Sequence, residues 1–148
     1  MDIQFIKLRK IAGTEYVLSF LQLHESIFGA DKDLLNKIES KPETLIFLAL
    51  HDSRVVGYKM GYRLDEQMFY SWLGGVDPAY RAQAIASRLM ELQHNDLKRA
   101  GYKKVQTKTK NKWRSMLILN IKSGFEVVDT YIDDDGETKI VLEKKLAE

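Results

Sequence analysis

The chain has 148 residues, of which 45% are hydrophobic and 30% are charged, and it contains no cysteine. This length suits a single domain over residues 1–148, and the composition excludes both a disordered chain and a membrane protein. The formal net charge of +2 is too small to favour nucleic acid as the main partner, and the lack of cysteine excludes disulfides and thiolate metal sites.

The N-terminal residues lack the basic segment and the long apolar segment of a secretory signal. Together with the absence of cysteine, this predicts a cytoplasmic protein. The three histidines are scattered without metal-ligand spacing, so no metal site is predicted.

The first half of the chain predicts a strand, two helices and three antiparallel strands. The strands have alternating or continuous apolar residues, and the helices have apolar residues at helical spacing. Gly29 ends the first helix, Asp31 is a candidate cap of the second, and Pro42 prevents its continuation. In chain order the elements are a strand at 3–8, helices at 15–28 and 32–40, and strands at 45–50, 55–62 and 68–76.

Two pairs of glycines mark the last two of these strands. Gly57 and Gly61 lie on one face of their strand, so we expect another element to pack close to that face. Gly74 and Gly75 are adjacent near the end of the next strand. They indicate a simple strand terminus, a bulge, or exposed backbone along which a ligand runs.

The second half predicts a helix, a strand, a further helix and a hairpin. The first helix begins at Ile85 and ends at Gly101, with Gln93 inside its apolar arc and His94 outside it. Because this helix lies between two predicted strands, the three elements form a βαβ unit with parallel strands. The other elements are a strand at 104–110, a helix at 112–123, and strands at 125–132 and 138–146 around an Asp-rich turn at 133–136.

The helix at 112–123 carries one amide within its apolar arc. That arc contains Trp113, Met116, Leu117 and Ile121, and Asn120 lies in its middle. The Asn120 side chain should therefore point inward.

The junction between the strand at 68–76 and the following helix is the best candidate for binding a phosphate. The first amides of a helix have no partner within the helix, and the helix dipole adds about half a positive charge there. Ala82, Ala84 and Ala86 leave the backbone accessible to an anion.

In this order the elements resemble the GNAT superfamily of acetyl-coenzyme A dependent N-acetyltransferases, over nearly the whole chain. The loop pattern of that family is Arg or Gln, two residues, Gly, any residue, then Gly or Ala; here it reads Arg81-Ala82-Gln83-Ala84-Ile85-Ala86. The sequence from Ile121 to Phe125 is similar to the Gly-Phe step into the family's sixth strand. The resemblance implies an α/β fold with about seven strands in a mixed, largely antiparallel sheet, a splayed parallel pair, and about four helices on both faces.

The resemblance also implies acetyl-coenzyme A (acetyl-CoA) as the cosubstrate. Its pantetheine arm would lie between the splayed strands and pair with the backbone of Gly74, Gly75 and Val76. The side chains of Arg81 and Arg88 would be available as counter-charges. The pyrophosphate would bind the loop amides of Arg81, Ala82, Gln83, Ala84, Ile85, Ala86 and Ser87.

Ala84 stands where the family usually has its first loop glycine. If this position needs a positive φ, alanine is strained there by about 1 kcal/mol. If it is the first turn of the helix, alanine is preferred for its helix propensity. We expect the helical turn, because helical periodicity already begins at Ile85.

The family reaction is direct attack of a neutral amine on the thioester, with a backbone N–H near Gly74 as the predicted oxyanion donor. Many relatives have a glutamate base where this chain has Tyr70, and a tyrosine acid where it has Asn120. Tyr70 and Asn120 are therefore the candidate catalytic residues. The Asn120 amide can donate a hydrogen bond to sulfur but cannot act as an acid, and it is alternatively a core amide. The general base stays open, with ordered water as one route.

The predicted function is acetyl transfer to a primary amine of a small molecule, peptide or protein. A degenerate acyl-CoA-binding sensor or partner-docking module is the alternative, since both usual catalytic residues are replaced. A homodimer through the terminal strands is possible, as in the family; no membrane or nucleic-acid partner is expected. The basic residues between Lys103 and Arg114 have two interpretations. They would attract the CoA 3′-phosphate or an acidic acceptor, or they would form a solvated strand edge. We expect the solvated strand edge.

Overall fold

A seven-stranded sheet with helices on both faces organises the chain in a computed structural model that describes residues 2–146. In chain order the elements are β1 (Gln4–Leu8), α1 (Val17–Phe28), α2 (Leu34–Glu39), β2 (Leu45–His51), β3 (Arg54–Arg63), β4 (Met68–Val76), a 3-10 helix (Pro78–Gln83), α3 (Ile85–Arg99), β5 (Lys104–Lys110), α4 (Arg114–Lys122), β6 (Glu126–Ile132) and β7 (Thr138–Lys145). None of the helices within residues 2–146 is both long enough and apolar enough to cross a membrane.

The strand order across the sheet is β1-β2-β3-β4-β5-β7-β6. β4 and β5 are parallel, and the other neighbouring strands are antiparallel. This confirms the predicted mixed, largely antiparallel sheet and the GNAT-like α/β fold. The parallel pair requires a crossover connection, which the 3-10 helix and α3 provide.

Two apolar cores lie on opposite faces of the sheet. Residues of α3 pack on one face with Val56, Phe69 and Val105, and residues of α1 and α2 pack on the other with Tyr58 and Met60. The alternation of strand side chains separates these two sets.

The close approach expected at the glycine face of β3 is confirmed. A methyl group added to Gly57 would lie 3.0 Å from Ile85 Cγ2, so α3 rests almost directly on this backbone. Gly61 is tighter still, because an added methyl group would collide with the carbonyl oxygen of Tyr70.

The β4 bulge lies at Trp72 and not at the two glycines. Met60 pairs with Leu73 and Gly61 pairs with Ser71, which leaves Trp72 opposite no residue of β3. Residues 74–76 continue in regular register with β3. The extra residue fits here because Gly61 has no side chain to obstruct the bent strand.

Several sequence predictions need correction. β5 is not a solvated edge, because β4 and β7 pair on its two sides. His94 is 5% exposed although it was placed outside the apolar arc, since its ring packs against Phe125. On α4, Ile121 is 52% exposed, because the buried face of this helix is turned towards Asn120 and Leu119.

Candidate active site

The parallel strands β4 and β5 form a fork. They are paired from Met68 with Lys104 up to Ser71 with Thr107, and no further residues of the two strands are in register. At the last pair, Thr107 Oγ1 donates a hydrogen bond of 3.0 Å to the carbonyl oxygen of Ser71. The predicted splaying is therefore present, and it opens towards the carboxyl end of β4.

The start of α3 lies at this open end of the fork. Ala84 has φ 56° and ψ 25°, which is the left-handed conformation, and it follows a 3-10 helix that ends at Gln83. The expectation that Ala84 belongs to the first helical turn is wrong. The 3-10 helix and α3 are both right-handed, so Ala84 is a single left-handed reversal between them, and α3 begins anew at Ile85.

This reversal creates an anion-binding geometry. A right-handed residue followed by a left-handed one points successive N–H groups into one concavity. No side chain caps α3. The first residue of the helix to donate a backbone hydrogen bond along it is Arg88, whose N–H bonds to Ala84 O at 3.1 Å. The N–H groups of Ile85, Ala86 and Ser87 therefore have no acceptor within the helix.

A polar network anchors the junction that leads to this loop. Asp77 N–H donates to Val56 O at 2.8 Å, and Asp77 Oδ1 accepts from Ala79 N–H at 2.9 Å. Arg54 Nη1 lies 3.2 Å from Asp77 Oδ2. The Asp77-Pro78 step is a recognisable signal for the start of the 3-10 helix, whereas the contribution of Arg54 had no sequence signal.

The two arginines near the loop differ in position. Arg81 Nε donates a hydrogen bond of 3.1 Å to the carbonyl oxygen of Val76, which holds the Arg81 guanidinium at the end of β4. Arg88 forms an exposed ion pair of 2.7 Å with Glu91. Arg81 is thus the better placed of the two to accompany a bound anion.

A narrow cleft joins the fork to α3 and α4. Its enclosed volume is about 20 Å³, because Met116 and Leu119 of α4 approach the end of β4. The sequence analysis named Gly74, Gly75, Val76 and Ala86 of this cleft. It did not name Lys59, whose place beside Gly74 depends on the register of β3 and β4. The residues that line the cleft are Tyr58, Lys59, Gly74, Gly75, Val76, Ala86, Leu89, Met90, Met116 and Leu119.

Tyr70 lies on the face of the sheet opposite α3, since its neighbour Phe69 is part of the α3 core. Its ring packs edge-to-face on Tyr62, with centroids 5.5 Å apart, and Lys108 Nζ lies 5.9 Å from its centre. Burial, with smaller effects from Tyr62 and Tyr131, raises the pKa of Tyr70 to about 12. At neutral pH this phenol keeps its proton, so it can donate a hydrogen bond but cannot act as a base.

Asn120 is 2% exposed, as predicted from its place in the α4 pattern. Its backbone carbonyl accepts hydrogen bonds from Ser123 and Phe125 N–H and closes the helix. The α4 side chains that line the cleft are those of Met116 and Leu119. Asn120 lies next to this lining without being part of it.

The basic residues of β5 are largely engaged with other groups. Lys110 Nζ lies 3.1 Å from Asp133 and 3.0 Å from Glu137, and Lys112 also pairs with Glu137. Lys108 lies against the aromatic rings of Tyr70 and Tyr131. Two of the four acidic residues of the turn at 133–137, Asp133 and Glu137, are thus paired with lysines.

A larger concavity, of about 880 Å³, lies at the other end of the sheet. It is an open groove of mixed charge, with Arg9, Glu43, Arg63 and Tyr102 among its lining residues. Neither the fork nor the start of α3 contributes to it, so its size does not make it the active site.

Comparison with known proteins agrees with this geometry. Residues 7–114 match the model of the acetyltransferase (GNAT) family. A sequence search of curated proteins gave no match.

Solved structures share the fold over nearly the whole chain. A GNAT family acetyltransferase from Elizabethkingia anophelis with acetyl-CoA bound has 20% identity and a TM-score of 0.75, covering 97% of each chain. The ribosomal-protein-S18-alanine N-acetyltransferase from Escherichia coli has 14% identity and a TM-score of 0.82, covering 99% of this chain and 96% of that one. An aminoglycoside 6'-acetyltransferase of type Ii has 14% identity and a TM-score of 0.81, covering 100% and 99%.

The family match covers most of the chain. The chain therefore belongs to the GNAT family of acetyltransferases.

Proposed function

We propose that this enzyme transfers the acetyl group of acetyl-CoA to a primary amine of a small molecule, a peptide or a protein, by direct attack of the amine on the thioester. The observation that carries the proposal is the position of the fork relative to α3. The end of β4 that is not paired with β5 lines the same cleft as Ala86, in the first turn of the uncapped helix α3. A ligand in this cleft would therefore have both a strand partner and an anion site.

The cofactor would be held by backbone groups at both ends. Its pyrophosphate would bind in the concavity around Ala84, where the N–H groups of Ile85, Ala86 and Ser87 have no acceptor within α3 and the Arg81 guanidinium adds charge. The residues from Arg81 to Gln83 belong to the 3-10 helix and would line this site. Its pantetheine arm would lie along Gly74, Gly75 and Val76. The absence of side chains at the two glycines favours close approach to this backbone.

The acceptor would approach from the face of the sheet that carries Tyr70. Because β4 and β5 are unpaired beyond Ser71, the fork connects this face with the cofactor cleft. Tyr62, Tyr70 and Trp72 form an aromatic surface beside the fork, and Lys41 Nζ lies 5.0 Å from the Tyr62 ring centre. The acceptors named for the similar structures, a ribosomal-protein alanine and an aminoglycoside, support either a protein or a small-molecule amine.

Tyr70 and Asn120 would assist in different ways. Tyr70 would orient the acceptor amine, or the water that takes its proton, through a donated hydrogen bond, since its raised pKa excludes a role as base at neutral pH. Asn120 would donate a hydrogen bond towards the sulfur, which requires its side chain to reach past Leu119. Deprotonation of the acceptor is assigned to solvent.

The test is thiol release from acetyl-CoA across a panel of amines, corrected for hydrolysis, with product masses measured for each amine. We expect one amine class to release thiol and gain an acetyl group in equal amounts. Tight acetyl-CoA binding without release above background for any amine, including N-terminal peptides and aminoglycosides, would instead support an acyl-CoA sensor.

A further inference from the structure

Lys59 lies at the base of the cofactor cleft, on β3. It is in register with Gly74 on β4, so both residues face α3. A methyl group added to Gly74 would lie 3.8 Å from Lys59 Cγ. The aliphatic part of Lys59 thus lies within ordinary contact distance of Gly74, beside the strand that the cofactor is proposed to follow.

Lys59 is the one ionisable group with a charge at neutral pH among the residues that line this cleft. The other lining residues are apolar apart from the Tyr58 hydroxyl, which bonds to His24. Within residues 2–146, Lys59 makes no hydrogen bond or ion pair with another side chain. A cation without a partner in an apolar cleft is costly, unless the cleft binds something that compensates it.

The surroundings of Lys59 favour its neutral amine over its ammonium form more strongly than bulk water does. Burial lowers the pKa of Lys59 to about 8, although the residue keeps some exposed surface. Lys59 lies near other basic groups, because Lys59, Lys98 on α3 and Lys144 on β7 all lower the pKa of His94 on α3. β4 and α4 contribute only uncharged residues to the cleft. No carboxylate of this cleft is available to hold the proton on Lys59.

A breaking thioester presents the group that this cation lacks. The sulfur carries negative charge as the bond to carbon breaks, and a nearby ammonium group can stabilise and protonate it. Neither catalytic candidate can do this, because an amide such as that of Asn120 is not an acid and Tyr70 lies on the opposite face.

We propose that the Lys59 ammonium group is the proton donor to the sulfur of coenzyme A, an inference that rests on the proposed function. The acceptor nitrogen forms a bond to the acetyl carbon, and the carbon–sulfur bond breaks with its electron pair on sulfur. Lys59 gives a proton to that sulfur, which yields the free thiol and a neutral amine. Lys59 regains a proton from solvent, which has taken one from the acceptor nitrogen.

The first experiment measures binding without turnover. The affinities of coenzyme A and of desulfo-coenzyme A, which lacks the sulfur, are compared by calorimetry for the wild type, Lys59→Met, Lys59→Arg and the exposed control Lys122→Met. The pKa of the bound thiol is measured in parallel from the ultraviolet absorbance of the thiolate. Relative to Lys59→Met, we expect the pKa of the bound thiol to be lower by about one unit or more in the wild type, in Lys59→Arg and in Lys122→Met.

The outcomes separate the two proposals. Equal thiol pKa values in the wild type and Lys59→Met, with both ligands bound, would overturn the role of Lys59 and leave the proposed function intact. Failure of the wild type to bind either ligand would overturn both. If Lys59→Met does not fold, the kinetics of Lys59→Arg decide, because arginine keeps the charge but cannot release a proton near neutral pH, and an unchanged kcat would overturn the role of Lys59.

The second experiment uses the reaction itself. With an amine from the panel, kcat of the wild type should fall as the pH rises through about 8, since Lys59 then loses its proton. Lys59→Arg should lose this alkaline fall together with at least about tenfold in kcat, with a smaller change in KM. Peptide masses after incubation with acetyl-CoA should show Lys59 unmodified. Acetylation of Lys59 would overturn the proposal, because it would make this residue an acceptor.

Discussion

Thr107 Oγ1 and the Ser71 carbonyl oxygen are joined by a 3.0 Å hydrogen bond at the last residue pair before β4 and β5 separate. This bond closes the base of the fork, because the following residues of the two strands have no register. We predict that Thr107→Val lowers the free energy of unfolding by about 1 kcal/mol, since it leaves a buried carbonyl without a donor. Urea denaturation measures the change.

Thr109 provides a matched control on the same strand and the same face. Its hydroxyl oxygen is buried and has no hydrogen-bond partner within the described residues. Thr109→Val should therefore leave stability unchanged or raise it, because it removes an unsatisfied polar atom. Equal losses for the two variants would show that the hydroxyl of Thr107 contributes nothing at the fork.

Ala84 is strained by its left-handed conformation. Ala84→Gly should raise the free energy of unfolding by roughly 1 kcal/mol, or the melting temperature by about 2 to 4 °C, because glycine adopts φ 56° without a Cβ clash. Ala82→Gly is the control, since Ala82 does not have a positive φ and should lose stability by about 0.5 to 1 kcal/mol. Differential scanning calorimetry distinguishes the two.

The same position tests the pyrophosphate site. Ala84→Asp places a carboxylate in the concavity of N–H groups, so we predict a loss of at least about tenfold in coenzyme A affinity. Ala30→Asp, in the exposed segment after α1, should bind the ligand as the wild type does. An unchanged affinity in Ala84→Asp would contradict the assignment of this loop.

His94 should make stability depend on pH. Burial, assisted by Lys144, Lys59 and Lys98, lowers the pKa of His94 to about 3, and Lys144 Nζ lies 3.1 Å from its Nδ1. The unfolded chain binds a proton near pH 6.5 and the folded chain does not. The stability from neutral His94 is therefore complete above about pH 6.5 and is lost as the pH falls towards 3.

Between about pH 7.5 and pH 5 we predict a loss of about 2 kcal/mol from this group. His94→Leu should flatten the dependence. It should not abolish it, because burial also lowers the pKa of His24. Urea unfolding at a series of pH values tests this, and a wild-type slope in His94→Leu would refute it.

Tyr70 and Asn120 make separable predictions in the acetylation assay. Tyr70→Phe should lower kcat by about tenfold and leave the pH profile below about pH 10 unchanged, since burial raises the pKa of Tyr70 to about 12. Tyr62→Phe, its ring neighbour, is the control. A shift of the acidic limb in Tyr70→Phe would identify Tyr70 as a base.

Asn120→Leu keeps the volume buried and removes the amide. If Asn120 donates to the sulfur, kcat should fall by about tenfold with little change in melting temperature. Loss of stability with unchanged kinetics would identify it as a core amide.

The local elements could be predicted because each depends on neighbouring residues. Residue period, glycines and turn signals located every strand and every α-helix to within a few residues, and the alternation of strand, helix and strand required β4 and β5 to be parallel. The burial of Asn120 followed from its place in the α4 pattern in the same way. The sequence also predicts a phosphate loop at the junction of β4 and α3, where α3 begins without a side-chain cap.

Contacts between distant segments decided the rest. Trp72 bulges because Gly61 on another strand has no side chain, and His94 is buried because Phe125 and Lys144 pack against it from later in the chain. The 3-10 helix that precedes the left-handed Ala84 is fixed at its start by contacts of Asp77 with Val56 and Arg54 on β3.

Lys59 illustrates the division most clearly. In the sequence it is one lysine of a strand whose alternation says only that it shares a face with Gly57 and Gly61. Its place beside Gly74 depends on the register of β3 with β4, and its lowered pKa depends on the apolar residues of α3 and α4 that cover it. Sequence determines local backbone preferences directly, whereas desolvation is a property of the packed surroundings and arises only when the elements assemble.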